Sequence, residues 1–308
     1  ATNFHTPNVR GLWVAQDLDA PARYAPYLLQ GGLVMPDAEY YTDPSPRMEE
    51  TRRLYAAHVA KVLSLAGEAD AAAKAARIVA LEKRIAATHA SREDSSDVNK
   101  GNNRWLRAEF PSRAPGLDWD AFFAAARLDG AEGFIVWHPG AVAGLAALVR
   151  DVPLPEWKEY LAFHALEEAS PFLPKAFAAE SFAFHGKVLS GTPQQRERWK
   201  RAVDVTEAAL GEAVGKLYVA KWFPPSEKAR AEAMVRNEIA AFGRRIDALD
   251  WMSPETKEKA KAKLAVLKVG VGYPDRWRDH SGLEVVAGDA LGNARRASLF
   301  EYRRNLEK

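Results

Sequence analysis

Ser45-Pro-Arg-Met-Glu-Glu-Thr-Arg-Arg-Leu-Tyr-Ala-Ala-His-Val-Ala-Lys-Val-Leu-Ser-Leu-Ala-Gly67 is the stretch that decides the fold class. Its Leu54, Tyr55, His58, Val59, Val62 and Leu63 recur three and four residues apart, the period of one face of an α-helix. Ser45-Pro46 with Glu49 and Glu50 marks the start of that helix, and Gly67 marks its stop. The next stretch repeats the pattern: Ile78, Val79, Leu81 and Ile85 sit in an Ala-rich run, where alanine raises helix propensity without bulk and allows close packing.

Helical punctuation continues toward the C-terminus. Pro155 opens a helix carrying Trp157, Leu161, His164 and Leu166, which Pro171 and Pro174 break. Thr192-Pro-Gln-Gln195 reads as a capping box starting a helix toward Trp222, and Pro224-Pro225 ends it. Ser226 caps a helix whose Val235, Ile239, Phe242, Ile246 and Leu249 form a stripe read as core. Ser253-Pro254 starts another, and Asp289 precedes a last periodic segment through Leu306 that breaks off at Lys308, an expectation of further chain beyond it. Residues 90–117 read as a long connection, rich in Ser, Asp, Asn, Gly and Pro. Asp118 or Asp120 caps a short helix with Phe122, Phe123 and Leu128. Phe134-Ile-Val-Trp137 is the best extended segment, expected to be isolated, and Val266 to Val271 leads extended into the turn Gly272-Tyr-Pro274. The fold is therefore mainly α, with few short extended segments.

Composition narrows the function classes. The 308 residues are 47% hydrophobic and 27% charged, an ordinary globular composition. Forty-three basic against 41 acidic residues leave a net charge of +2, too little to drive binding to nucleic acid or an anionic membrane. No apolar run approaches the roughly 20 residues that span a bilayer. The start Ala1-Thr-Asn-Phe-His-Thr-Pro7 lacks a signal-peptide pattern, so a targeting segment is expected to be absent or removed. The absence of cysteine excludes disulfides, thiolate metal sites and cysteine nucleophiles.

No chemical motif assembles from spacing. The histidines are His5, His58, His89, His138, His164, His185 and His280, and none belongs to H-E-x-x-H. His164-Ala-Leu-Glu167-Glu168 comes nearest but lacks the second imidazole one turn on, so His164 is read as a satisfied core or surface histidine. Gly270-Val-Gly272 lacks the third glycine and the lysine of a phosphate loop, and Ser190-Gly191-Thr192 is not a nucleophile elbow. Glu167, Glu180 and Glu207 are the carboxylates weighed for paired acid–base work and read as solvated helix faces. The nine tryptophans are read as packing residues. No catalytic and no metal-ligating residue is assigned, and the substrate-binding residues are unknown.

Several longer strings carry a resemblance. Tyr27-Leu-Leu-Gln-Gly-Gly-Leu-Val-Met-Pro-Asp-Ala-Glu-Tyr-Tyr41, Trp157-Lys-Glu-Tyr-Leu161, Ser190-Gly-Thr-Pro193, Arg198-Trp-Lys-Arg201, Gly215-Lys-Leu-Tyr-Val219, Leu249-Asp-Trp-Met-Ser-Pro-Glu-Thr-Lys257 and Gly272-Tyr-Pro274 stand in order along the chain. From about Arg23 to its end the sequence resembles the neprilysin and endothelin-converting-enzyme family of zinc metalloendopeptidases. Ala202, where many extracellular relatives carry Cys, suits a bacterial oligopeptidase-like member. The resemblance implies a multi-helix lid lobe: residues 1–44 a lead-in segment, 45–274 the helical lid-type domain, and 275–308 the start of a connection toward a missing catalytic domain. In the family two His of H-E-x-x-H and a later Glu hold the zinc, and these elements lie beyond the region matched here.

The implied function is therefore the capping portion of a peptidase that cleaves oligopeptides on the amino side of apolar residues, inactive by itself. Zinc belongs to the intact family enzyme and none is expected on this chain, so zinc titration and peptide cleavage should both be blank. The implied partners are the missing catalytic portion and an oligopeptide substrate, with no nucleic acid and no membrane span. The compartment is left open, since relatives sit in the cell envelope, outside it and in the cytosol, with the envelope or periplasm favoured over the cytoplasm. The rival expectation is a self-contained helical binding module descended from such a lobe. In both readings Trp199, Trp222 and Trp251 are packing anchors, and Pro193 and Pro254 start helices.

Overall fold

A computed structural model describes residues 10–307, and His5 lies outside them. Four strands and fourteen α-helices are present among the described residues, the mainly α architecture that the periodicity predicts. In chain order they are β1 (Arg10–Gln16), β2 (Tyr24–Gln30), α1 (Glu39–Thr42), α2 (Pro46–Leu65), α3 (Ala71–Ala86), α4 (Arg92–Ser96), α5 (Val98–Gly101) and β3 (Arg104–Leu106). There follow α6 (Phe110–Arg113), α7 (Trp119–Ala125), β4 (Gly133–Val136), α8 (Pro139–Asp151), α9 (Leu154–Ala169) and α10 (Lys175–Ser181). A π-helical turn, Phe182–Leu189, precedes α11 (Arg198–Trp222), α12 (Pro225–Ala248), α13 (Pro254–Ala265) and α14 (Ala290–Leu306). The chain divides into two compact units, one of residues 10–196 with 284–307, the other of 197–283.

The first unit holds the core. The expected faces of α2 and α3 are the buried ones: Tyr55, His58, Val59, Val62 and Leu63 face Ile78, Leu81 and Ile85, joined by Trp157, Tyr160 and Phe163 of α9. Burying a side chain of this size stabilises by roughly 1.5–3 kcal/mol, so this cluster dominates the unit. A second cluster is mostly aromatic, with Phe110 inside Trp105, Trp119, Phe123 and Phe134. Asp118 caps α7 by accepting the Ala121 N–H at 2.9 Å.

Three expectations about this unit are corrected. The extended segment at Phe134 is not isolated: strand order is β1-β2-β4-β3, with β4 parallel to β2 (Leu28 opposite Val136) and antiparallel to β3 (Trp105 opposite Phe134). Its partners are remote in sequence, so no local signal announces them. Residues 90–117 are not one long loop, because Ser91 and Asp97 cap the short helices α4 and α5 and β3 follows. Nor is Thr192-Pro-Gln-Gln195 a capping box. The Thr192 N–H closes the π-helical turn onto Gly186 O at 2.8 Å and Gln195 reaches back to Ala178 O, so α11 begins only at Arg198 and Pro193 starts no helix.

The second unit is three helices and a turn. Tyr273 stacks on Trp277, meets Phe223 edge-on and lies under the Lys228 ammonium, 4.6 Å from the ring centre. Lys228 also bonds Tyr273 O and Asp275. Here α12 starts at Pro225, so Ser226 is inside it and is not its cap. No residue of α11, α12 or α13 is fully buried, which corrects two further readings. Val235, Ile239, Ile246 and Leu249 are only partly covered and Phe242 is exposed, so the stripe on α12 is not a closed core. Trp199, Trp222 and Trp251 are 63%, 62% and 73% exposed, so they anchor no packing within this chain.

Candidate functional site

The first unit encloses a cluster of titratable groups that no local spacing reveals. His58 projects from the apolar face of α2, one turn after Tyr55, and is buried. Its ring stacks on Phe184 at 4.9 Å between ring centres and meets the edge of Phe163 at 6.5 Å. Both ring nitrogens face carboxylates: Nε2 lies 3.0 Å from Glu167 Oε2 of α9, and Nδ1 lies 3.0 Å from Glu180 Oε1 of α10. The other oxygen of Glu167 lies 2.7 Å from His185 Nε2 in the π-helical turn. Four elements thus meet on Glu167 and His58.

The electrostatics follow from that geometry. Burial opposes charge on His58, but Glu167 and then Glu180 outweigh it and raise the imidazole above its ordinary value. An ionised carboxylate only accepts hydrogen bonds, so with both partners ionised both ring nitrogens of His58 donate and the ring is an imidazolium. Burial likewise opposes charge on Glu167, yet hydrogen bonds from His185 and His58 bring it down to about 2. Glu168 shows the contrast: without such donors, burial and the charge of Glu167 raise it.

Glu167 and Glu180 are therefore not solvated helix faces; that reading holds for Glu207, which is exposed. His164, the nearest imitation of a zinc motif, bonds buried Glu82 of α3 at 2.7 Å, a satisfied core histidine. His58 and His185 are the residues that spacing misses, since Glu167 lies 109 and 18 positions from them. The one signal in the sequence is a histidine inside the apolar stripe of α2. His58, Glu167 and His185 are also the group of side chains able to share one metal ion, with ligand atoms all within 4.8 Å of one another. Among the described residues no helix is long and apolar enough to cross a membrane.

Comparison with known proteins shows what the chain as a whole is similar to. The family model described as peptidase family M13, for its N-terminal part, matches residues 2–274. Neprilysin-3 of Drosophila melanogaster is 24% identical over 318 aligned residues, covering 97% of this chain and 40% of that protein. The inhibitor-bound crystal structure of the Mycobacterium tuberculosis zinc metalloprotease ZMP1 superposes with a TM-score of 0.91 at 32% identity, covering 99% of this chain and 46% of that one. Its open state, seen by electron cryomicroscopy, gives 0.88 at 33% identity over 99% and 48%. The chain thus spans less than half the length of these proteins.

Proposed function

Since this chain belongs to peptidase family M13, the neprilysin-like zinc metallopeptidases, we propose that it forms the helical capping lobe of an oligopeptidase and is catalytically silent by itself. The observation that carries the reading is the match of nearly the whole chain to less than half of a zinc metalloprotease, in a sequence without H-E-x-x-H. A further catalytic portion would supply the zinc, whose chemistry is to polarise the scissile carbonyl and lower the pKa of a bound water. The helices of this chain would enclose the cavity, exclude bulk water and admit only short peptides, cleaved on the amino side of apolar residues.

In this reading residues 45–274 are the lid-type domain, 1–44 lead into it and 275–308 begin the connection toward the catalytic domain. The exposed tryptophans of 197–283 support it, since apolar side chains left open in one piece suit packing against another. The cell envelope or periplasm is the proposed setting. The experiment is a cleavage assay of residues 1–308 on fluorogenic oligopeptides bearing apolar residues, with and without a chelator. No turnover is expected; chelator-sensitive turnover by this chain would overturn the division of labour.

A further inference from the structure

We propose that His58, Glu167 and His185 form a binding site for one borderline divalent transition ion, zinc in the first instance, with Glu180 orienting His58 from behind. Sequence spacing leads to the opposite expectation, a chain that binds no metal, because these ligands come from α2, α9 and the π-helical turn and only the fold brings them together.

The distances favour an ion. Two ligands about 2.0–2.1 Å from zinc at a tetrahedral angle are about 3.3 Å apart. Glu167 already lies 3.0 Å from His58 Nε2 through one oxygen and 2.7 Å from His185 Nε2 through the other, and one ligand atom from each of the three residues lies within 4.8 Å of the other two. Closing the ligand atoms onto one ion therefore takes movements of at most about 1.5 Å, which rotation of the partly exposed His185 ring can supply. Its side chain is 36% exposed, against 1% for His58, so an ion and its remaining water ligand have an entry from that side.

The surrounding groups are those a metal-bound histidine requires. A ligating imidazole donates its other N–H to a carboxylate, which fixes ring orientation and tautomer. Glu180 occupies that place on His58 Nδ1, opposite the nitrogen that faces Glu167. Phe184 stacked on the ring limits its rotation and keeps water from it. The charges also balance: with both imidazoles neutral, the carboxylates of Glu167 and Glu180 offset one dication, which suits a buried position. Two imidazoles and a carboxylate are ligands of zinc and its neighbours, not of magnesium or calcium. The ion would act as a clamp on α2, α9, α10 and the π-helical turn, and no catalytic step is assigned to it.

The test uses residues 1–308 stripped of metal with a chelator, so it is independent of any peptidase activity. Zinc is titrated calorimetrically and cobalt by its visible d–d absorption. One ion per chain is expected, with the intense absorption of a four-coordinate cobalt site and a higher melting temperature. His185→Ala, at the exposed edge of the cluster, should abolish the cobalt band. Glu180→Gln should weaken zinc about 10–100-fold while leaving the band in place. Absence of binding by the native chain overturns the proposal. So does binding of unchanged affinity in both variants, because the ion would then sit elsewhere, as at His280. Far-ultraviolet circular dichroism checks each variant's fold; should His185→Ala not fold, the Glu180→Gln titration decides.

Discussion

Glu82 has no solvent-exposed surface, yet it accepts the Tyr41 hydroxyl at 2.8 Å and pairs with His164 Nε2 at 2.7 Å, while the Met35 N–H donates to Tyr41 Oη. Removing one member of such a network leaves the others buried without partners. Glu82→Ala is expected to lose about 3–5 kcal/mol of stability in urea denaturation at pH 7, with Glu82→Gln, which still accepts from Tyr41, losing less. A loss below about 1 kcal/mol in Glu82→Ala would show that the network contributes little. His138 behaves differently. It accepts the Gln30 N–H at 3.0 Å through Nδ1, and burial, aided by the neighbouring His89, lowers it to about 4. Its unfolded value is near 6.5, so the unfolded chain takes up a proton first as pH falls. This contribution to stability is intact above about pH 6.5 and is lost between there and pH 4, on the order of 2 kcal/mol by pH 5. Urea midpoints from pH 7 to 5 should show that slope, and His138→Asn, whose amide oxygen can accept from Gln30, should flatten it.

Single elements expose the backbone requirements that side-chain patterns hide. Gly116 joins α6 to α7 with φ at +118°, and a Cβ there would lie 2.3 Å from the Ala146 carbonyl oxygen of α8. Backbone cannot yield as a flexible side chain does, so Gly116→Ala should destabilise the first unit by more than about 1 kcal/mol, read in its urea midpoint. In the second unit α13 has no fully buried residue, so its ends matter more. Ser253 Oγ accepts the Thr256 N–H at 3.2 Å, and Ser253→Ala should weaken the first turn by roughly 0.5–2 kcal/mol. Faster amide exchange confined to residues 255–257 is the expected signature; exchange unchanged there would remove the cap from the account. The π-helical turn is the least regular of these elements, and it is the one that presents His185 to Glu167.

Across the molecule, burial is uneven: among the described residues the first unit contains every fully buried hydrophobic residue, while α11, α12 and the connection from α12 to α13 leave Trp199, Leu217, Trp222, Met234, Phe242 and Trp251 largely exposed. If this chain is the capping lobe of a longer peptidase, that surface is where apolar contact is missing. Residues 1–308 alone should then bind a hydrophobic dye and self-associate in a concentration-dependent way. Trp222→Gln with Trp251→Gln should lower both without lowering the urea midpoint; a lowered midpoint would mean that these side chains do pack in the isolated chain. Sequence by itself determined the helices, because an apolar period of 3.6, proline starts, glycine stops and side-chain caps are local, as α2, α3, α9 and α14 show. Its ordered strings likewise determined the family. The sheet and the His58 cluster were decided only in three dimensions: β2 meets β4 more than a hundred residues later, and His58 meets Glu167 and Glu180 across a similar interval. Contacts at such separations leave no period in the chain, and a carboxylate's pairing depends on which helix its face meets.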